Sequence, residues 1–173
     1  MKLTSLCYLE EDGRYLLLHR TKKAGDENAG KWIGVGGKFL PGESPEECLL
    51  RDVKEETGLL LARWRFRGLV TFVALDGRGE LEWGEYMHLF TADRWQGELT
   101  SCDEGELAWV EKTKLPQLPM WAGDRVFLSL LAQERPFFSL KLVYQGEELR
   151  QVRLDGRDVS PEDPCFSWPE TRR

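Results

Sequence analysis

Gly37-Lys38-Phe39-Leu40-Pro41-Gly42-Glu43-Ser44-Pro45-Glu46-Glu47-Cys48-Leu49-Leu50-Arg51-Asp52-Val53-Lys54-Glu55-Glu56-Thr57-Gly58-Leu59 is the stretch on which the reading of this chain turns. Its middle predicts a helix over 45–57. Ser44 and Glu47 have the spacing of a capping box, and Pro45 stands at the first helical position, where its missing N–H costs nothing. Leu49, Leu50 and Val53 supply apolar contacts at helical spacing. Gly58 ends the helix as a residue able to take positive φ. Thirteen residues at 1.5 Å each give a rod of about 20 Å.

Asp52, Glu55 and Glu56 fall at i, i+3 and i+4 and share one face of that helix. Glu55 and Glu56 lie in its last turn, where the macrodipole is negative and each exposed carboxylate is disfavoured by about 0.3–1 kcal/mol. An acidic run is most often only a solvated face. Here the acids sit at the wrong helix end, and the helix follows a glycine-rich loop that leads through Lys38 to Glu43. Three or four crowded carboxylates relax when a hard divalent cation binds. Mg²⁺ takes oxygen ligands and keeps water and phosphate oxygens in its shell.

Working outward, Leu3–Leu9, the turn signal Glu10-Glu11-Asp12-Gly13, and Tyr15-Leu16-Leu17-Leu18 predict a hairpin. Residues 21–31 read as a loop. Trp32 to Lys38, with Gly34, Gly36 and Gly37, reads as a short, tightly bent strand or turn. Strand-like stretches run from Leu59 to Ala74, Tyr86 to Thr91 and Leu107 to Val110, with turns at Asp76-Gly77 and Gln96-Gly97. Trp121 to Ala132 predicts a second helix after Pro116 and Pro119. Phe137 to Tyr144, Gln145-Gly146 and Leu149 to Val152 predict a closing hairpin. The fold class expected is α/β, a mixed β-sheet flanked by helices. The domain is expected over residues 1–154. A polar tail with three prolines is expected over 155–173, with Cys165, Phe166 and Trp168 as its docking candidates.

The 173 residues carry 24 Lys and Arg against 30 Asp and Glu, a net charge of −6. That length fits one domain. The acidic balance argues against a polynucleotide partner, whose phosphates call for Lys and Arg. No apolar run reaches the roughly 18 residues of a membrane span, and the start lacks the apolar stretch of a signal peptide. Four scattered cysteines and two histidines give neither a zinc motif nor a disulfide framework, so free thiols in a cytoplasmic location are expected. One decoy is rejected. Gly25-Asp26-Glu27-Asn28-Ala29-Gly30-Lys31-Trp32 nearly spells a P-loop, but Trp32 stands where a Ser or Thr would hold Mg²⁺, and Asp26 and Glu27 would repel phosphate.

Gly37, five residues, Glu43, seven residues, then Arg51-Asp52-Val53-Lys54-Glu55-Glu56-Thr57-Gly58-Leu59 resembles the Nudix box, G-x5-E-x7-R-E-U-x-E-E-x-G-U with U aliphatic. One fixed position departs: Asp52 stands where glutamate is usual. The resemblance implies the Nudix α/β/α sandwich, dependence on Mg²⁺ or on Mn²⁺ in its place, and hydrolysis of a nucleoside diphosphate linked to another group. Carried over, Asp52, Glu55 and Glu56 are metal ligands. Any of them, or an acid outside the box, accepts the proton of the attacking water. Glu43 supports the cluster or the water shell of the metals. Arg51 orients the acids, its alternative being a surface ion pair worth under about 1 kcal/mol. Gly36 and Gly37 let the backbone approach metal or phosphate, with a carbonyl there as a ligand, and Lys38 faces phosphate. Asp52, one methylene short of glutamate, holds its metal through water or not at all.

The resemblance extends over residues 3–153. Gly30-Lys31-Trp32-Ile33-Gly34-Val35-Gly36-Gly37-Lys38 and Met120-Trp121-Ala122-Gly123-Asp124 look like the MutT-type 8-oxo-dGTP diphosphatases, especially those of Gram-positive bacteria. That branch implies Trp121 on the purine face, Asp124 on its edge, Phe72 as a pocket wall and Glu104 as an extra metal-binding acid. Arg20 joins Lys38 as a candidate for phosphate oxygens. Each has a plain structural alternative: Trp121 and Phe72 as core residues, Asp124 as a first-turn acid, Arg20 as a surface cation. Ile33 and Gly123 depart from the asparagine and the first of two aspartates that contact the base in animal members. The function implied is hydrolysis of oxidised purine nucleoside triphosphates, 8-oxo-dGTP among them, to a monophosphate and pyrophosphate by a monomer or homodimer. The alternatives are a Nudix enzyme for another nucleotide and a non-catalytic nucleotide-sensing module. Isopentenyl diphosphate isomerase, which shares the fold, is set aside for want of histidines.

Overall fold

A computed structural model describes residues 1–21, 25–26 and 28–168. Part of the 21–31 loop, Glu27 of the rejected P-loop and the end of the expected tail therefore lie outside the described residues. The chain divides into two compact units. One holds residues 4–66 and 89–120, and the other holds 1–3, 67–88 and the segment from 121 onward.

In the first unit, β1 (Lys2–Glu11) turns at Asp12-Gly13 into antiparallel β2 (Arg14–Arg20), with Leu9 opposite Leu16. Asp12 and Gly13 both take positive φ, 52° and 73°, as a two-residue hairpin turn of the right twist requires. The glycine-rich stretch forms two short strands. β3 (Trp32–Ile33) pairs with β2, and β4 (Val35–Lys38) pairs with β1. The break falls at Gly34, where a Cβ would sit 2.9 Å from the Cys7 carbonyl oxygen. Helix α1 (Pro45–Thr57) follows. Two long strands, β5 (Leu60–Leu75) and β6 (Leu81–Gln96), contribute residues to both units. β7 (Gly105–Glu111) pairs along the full length of β2, and a 3-10 turn spans Lys112–Gln117.

The core of this unit gathers Cys7, Leu9, Leu16, Val35, Leu49, Val53, Leu59, Leu61, Phe90 and Ala92. Leu49 and Val53, four residues apart, are the apolar side chains that α1 buries in it, with Cys48, Asp52 and Thr57 also buried along the helix. Each of the two apolar side chains contributes about 1.5–3 kcal/mol. Their burial leaves the last turn of α1, with its acids, beside the glycines of β4.

In the second unit, α2 (Ala122–Ala132) precedes β8 (Phe138–Gln145), which runs parallel to β5 with Phe72 opposite Leu142. β9 (Glu148–Leu154) returns antiparallel to β8. Parallel and antiparallel pairs thus coexist, the mixed sheet with few helices expected of this class. Two stretches differ from the sequence reading. β6 extends five residues beyond each end of Tyr86–Thr91, because exposed Leu81, Glu82, Arg94 and Gln96 hide its alternation. The segment after Leu154 carries structure: β10 (Arg157–Val159) pairs with β9, and a 3-10 turn at Pro164–Phe166 buries Phe166. Gln133 Nε2 donates to the carbonyls of Cys165 and Ser167, at 2.9 and 3.2 Å, tying that segment to the end of α2. Among the described residues no helix is long and apolar enough to cross a membrane.

Candidate active site

Both ends of α1 are fixed as the sequence requires. The Glu47 N–H donates to Ser44 Oγ at 3.1 Å, and the Ser44 N–H donates to Glu47 Oε2 at 3.2 Å. Gly58 adopts φ 78°, and its N–H reaches the Lys54 carbonyl at 2.9 Å. Residues 51–56 are thereby presented at a defined place beside β4.

Arg51 organises the acids. Its Nε donates to Glu43 Oε1 at 2.5 Å and its Nη2 to Glu43 Oε2 at 2.9 Å, a fork on a carboxylate. Nη2 also donates to the Lys38 carbonyl at 2.9 Å. Nη1 reaches Asp52 Oδ1 at 3.0 Å and Glu55 Oε2 at 3.2 Å. One guanidinium therefore joins the loop before α1 to two acids of its last turns. Glu43 also accepts from the Leu40 N–H at 2.7 Å. Its carboxyl is held at about 2, chiefly by the hydrogen bond from Arg51.

Behind Arg51 the site closes on glycine. Asp52 is buried, and burial pushes its carboxyl up despite the Cys48 thiol 3.3 Å from Oδ2 and the Arg51 charge. A Cβ on Gly37 would lie 2.9 Å from Asp52 Oδ2, and one on Gly36 would collide with the Ser5 carbonyl. The Gly36 N–H donates to Glu56 Oε2 at 3.1 Å. The Glu56 carboxyl is pushed up to about 8, first by burial, then by the neighbouring Glu104 and Asp52 carboxylates. Glu104, 84 residues from Arg20 in sequence, is brought here by that arginine. Nη1 of Arg20 donates to Glu104 Oε2 at 2.5 Å while Nε donates to Asp26 Oδ2 at 2.5 Å.

These oxygens fit a hard dication in kind: several carboxylates, two of them pushed toward protonation first by burial and then by neighbouring acids, and a backbone that only glycine allows to come so close. Among the described residues, no three His, Cys, Asp or Glu side chains form a ready cage. Part of the reason is visible, since Arg51 engages Asp52 and Glu55 in this arrangement.

The site brings together Arg51, Asp52, Glu55, Glu43, Gly36, Gly37, Glu56 and Glu104. Lys38 contributes its carbonyl to Arg51, and its side chain is exposed. Arg20 is engaged by two carboxylates rather than presented as a lone cation. The P-loop decoy spends its amides internally: the N–H groups of Ala29, Gly30 and Lys31 go to the carbonyls of Asp26, Arg20 and Asn28. Phe72, Trp121 and Asp124 all belong to the second unit. Trp121 is half-buried, while Phe72 and Asp124 are buried. Sequence reasoning missed Tyr144, whose ring stacks on Phe72 at 5.9 Å and meets Trp121 edge-on at 5.6 Å. It also missed Cys48, although its i, i+4 spacing to Asp52 was there to be read.

The NUDIX domain family model matches residues 3–131. The chain is 31% identical over 156 residues to YvcI, a Nudix hydrolase of Bacillus subtilis, covering 88% of this chain and 94% of that one. It is 33% identical over 148 residues to the oxidized purine nucleoside triphosphate hydrolase of Danio rerio, covering 86% and 90%. Among solved structures, a MutT protein from Bacillus halodurans superposes with a TM-score of 0.81 at 27% identity, covering 90% of this chain and 98% of the other. The chain belongs to the Nudix family of hydrolases.

Proposed function

We propose that this enzyme hydrolyses oxidised purine nucleoside triphosphates, 8-oxo-dGTP among them, to the monophosphate and pyrophosphate with Mg²⁺. The observation that carries the reading is the acid cluster at the end of α1, ordered by Arg51 and closed by Gly36 and Gly37. The choice of substrate is supported by the names of the Danio rerio and Mus musculus relatives, both oxidized purine nucleoside triphosphate hydrolases.

In this reading Glu55, Glu56, Asp52, Glu104 and a carbonyl of the Gly36–Gly37 backbone hold the metal. When bound it supplies neutralisation of phosphate charge and a more acidic water. Glu43 and Arg51 keep the acids in place. Glu56, anchored at Oε2 by the Gly36 N–H, or its neighbour Glu104, takes the proton of the attacking water. Lys38 and Arg20 serve the phosphate oxygens. Trp121, Phe72 and Asp124 serve the base, since an aromatic face and a polar edge reader are what base selection needs.

The test is a panel of nucleoside triphosphates, nucleotide sugars and dinucleotides with Mg²⁺, scoring pyrophosphate against phosphate. Pyrophosphate released fastest from 8-oxo-dGTP supports the reading. Preference for a nucleotide sugar or dinucleotide overturns the substrate, and no turnover of any of them points to a nucleotide-sensing module.

A further inference from the structure

Helix α2 begins without a cap of its own. Trp121 holds the N-cap position, and its side chain accepts no hydrogen bond from the first turn. A first-turn N–H left unsatisfied in a buried place costs free energy, so it needs a partner from elsewhere. The Gly123 N–H finds one in the Tyr144 hydroxyl, which accepts it at 2.6 Å from β8. Both residues are buried.

The fit is specific to this pair. A Cβ at residue 123 would collide with the Tyr144 hydroxyl and approach Leu142 Cδ1 to 2.6 Å. Glycine at 123 is thus the counterpart of tyrosine at 144. The same ring stacks on Phe72 with the planes 13° apart and receives Trp121 at 78°. The parallel register places Leu142 opposite Phe72 and Tyr144 opposite Ala74, so Phe72 and Tyr144 share one face of the sheet. Trp121, Phe72 and the backbone just before Asp124 therefore all refer to one side chain.

We infer that Tyr144 is a positioning residue for nucleobase selection: its hydroxyl serves as a tertiary cap that locks the start of α2, and with it Trp121 and Asp124, against Phe72. It acts through those three residues. The inference rests on the reading above that they contact the base.

Tyr144→Phe keeps the ring and removes the cap, while Gly123→Ala keeps the hydroxyl and crowds it. For 8-oxo-dGTP, each is expected to raise KM about 5-fold, the worth of one ordinary hydrogen bond, with kcat close to the unaltered enzyme. Selectivity over unmodified dGTP should shrink in parallel. Inorganic triphosphate, which has no base, should bind all three proteins equally well as a competitive inhibitor. In the double variant the two effects should combine to less than their product, because the hydroxyl that the added methyl group would strike is gone. Tyr144→Phe with KM and selectivity unchanged, while Trp121→Ala raises KM, overturns the positioning role alone. KM unchanged in Trp121→Ala as well overturns the base reading beneath it. A fall in kcat or in melting temperature without change in KM or selectivity marks a merely structural tyrosine and likewise overturns the inference.

Discussion

Arg51 and Glu43, eight residues apart, meet as a fork: Nε to Oε1 at 2.5 Å and Nη2 to Oε2 at 2.9 Å. This pair fastens the loop before α1 to the helix turn that carries the acids, and the same guanidinium extends to Asp52 and Glu55. Lysine is a point charge and cannot span two carboxylate oxygens in a plane. Arg51→Lys should therefore retain the fold yet lose about 10- to 100-fold in kcat/KM, the scale of a misplaced catalytic group. Steady-state kinetics with circular dichroism checks it.

The fork also sets an acid-sensitive contribution to stability. Glu43 titrates at about 2 in the folded protein against an ordinary 4.5. A carboxyl with a depressed folded value stabilises above its unfolded value, and that contribution is lost as pH falls through the folded one. The stability gap between the unaltered protein and Glu43→Gln should be full near pH 6, narrow below about 4.5 and close by about 2. Urea titrations at a series of pH values measure it. A gap that does not change with pH would contradict the pairing.

Glu56 has the opposite sign. Its carboxyl is raised from 4.5 to about 8, so the metal-free native state holds a proton that the unfolded chain has already released. Stability of the metal-free enzyme should fall as pH rises across that window. Glu56→Gln should remove the fall and melt higher than the parent at pH 9 without metal, while losing nearly all turnover. Adding Mg²⁺ should raise the melting temperature of the parent and do so much less for the variant. Thermal melts with and without the ion decide it.

Gly37→Ala tests the close approach. The new methyl would lie 2.9–3.0 Å from both Asp52 oxygens, tighter than packing tolerates. The carboxylate must shift, and the Mg²⁺ concentration for half-maximal activity should rise several-fold while the melting temperature changes little. Activity titrated against Mg²⁺ reads the effect.

What the sequence disclosed follows the range of the interactions. The capping box at Ser44 and Glu47, the αL residue Gly58 and the acid face of α1 are local, and the structure has them where periodicity and spacing put them. The hairpin at Asp12-Gly13 was legible for the same reason, whereas the glycines of 34–37 announced one tightly bent strand or turn and not its division at Gly34 into strands paired with β2 and with β1. Glu104 is 48 residues from Glu56, and only the family resemblance pointed to it. No local pattern shows that Arg20 is held by Asp26 and Glu104, or that Tyr144 caps a helix 21 residues earlier. Those facts depend on which strands become neighbours. The polar composition after Leu154 concealed β10, since an edge strand leaves little apolar pattern, while Phe166, one of the three docking candidates, is buried.

The measurement closest to the central claim is release of pyrophosphate from 8-oxo-dGTP by the purified protein, followed with Mg²⁺, with EDTA and with Glu56→Gln. Steady turnover is expected with Mg²⁺, none with EDTA, and a loss of nearly all turnover in a variant that still folds. Undiminished turnover in EDTA or in Glu56→Gln, or no cleavage of any nucleotide by the unaltered protein, would contradict the claim.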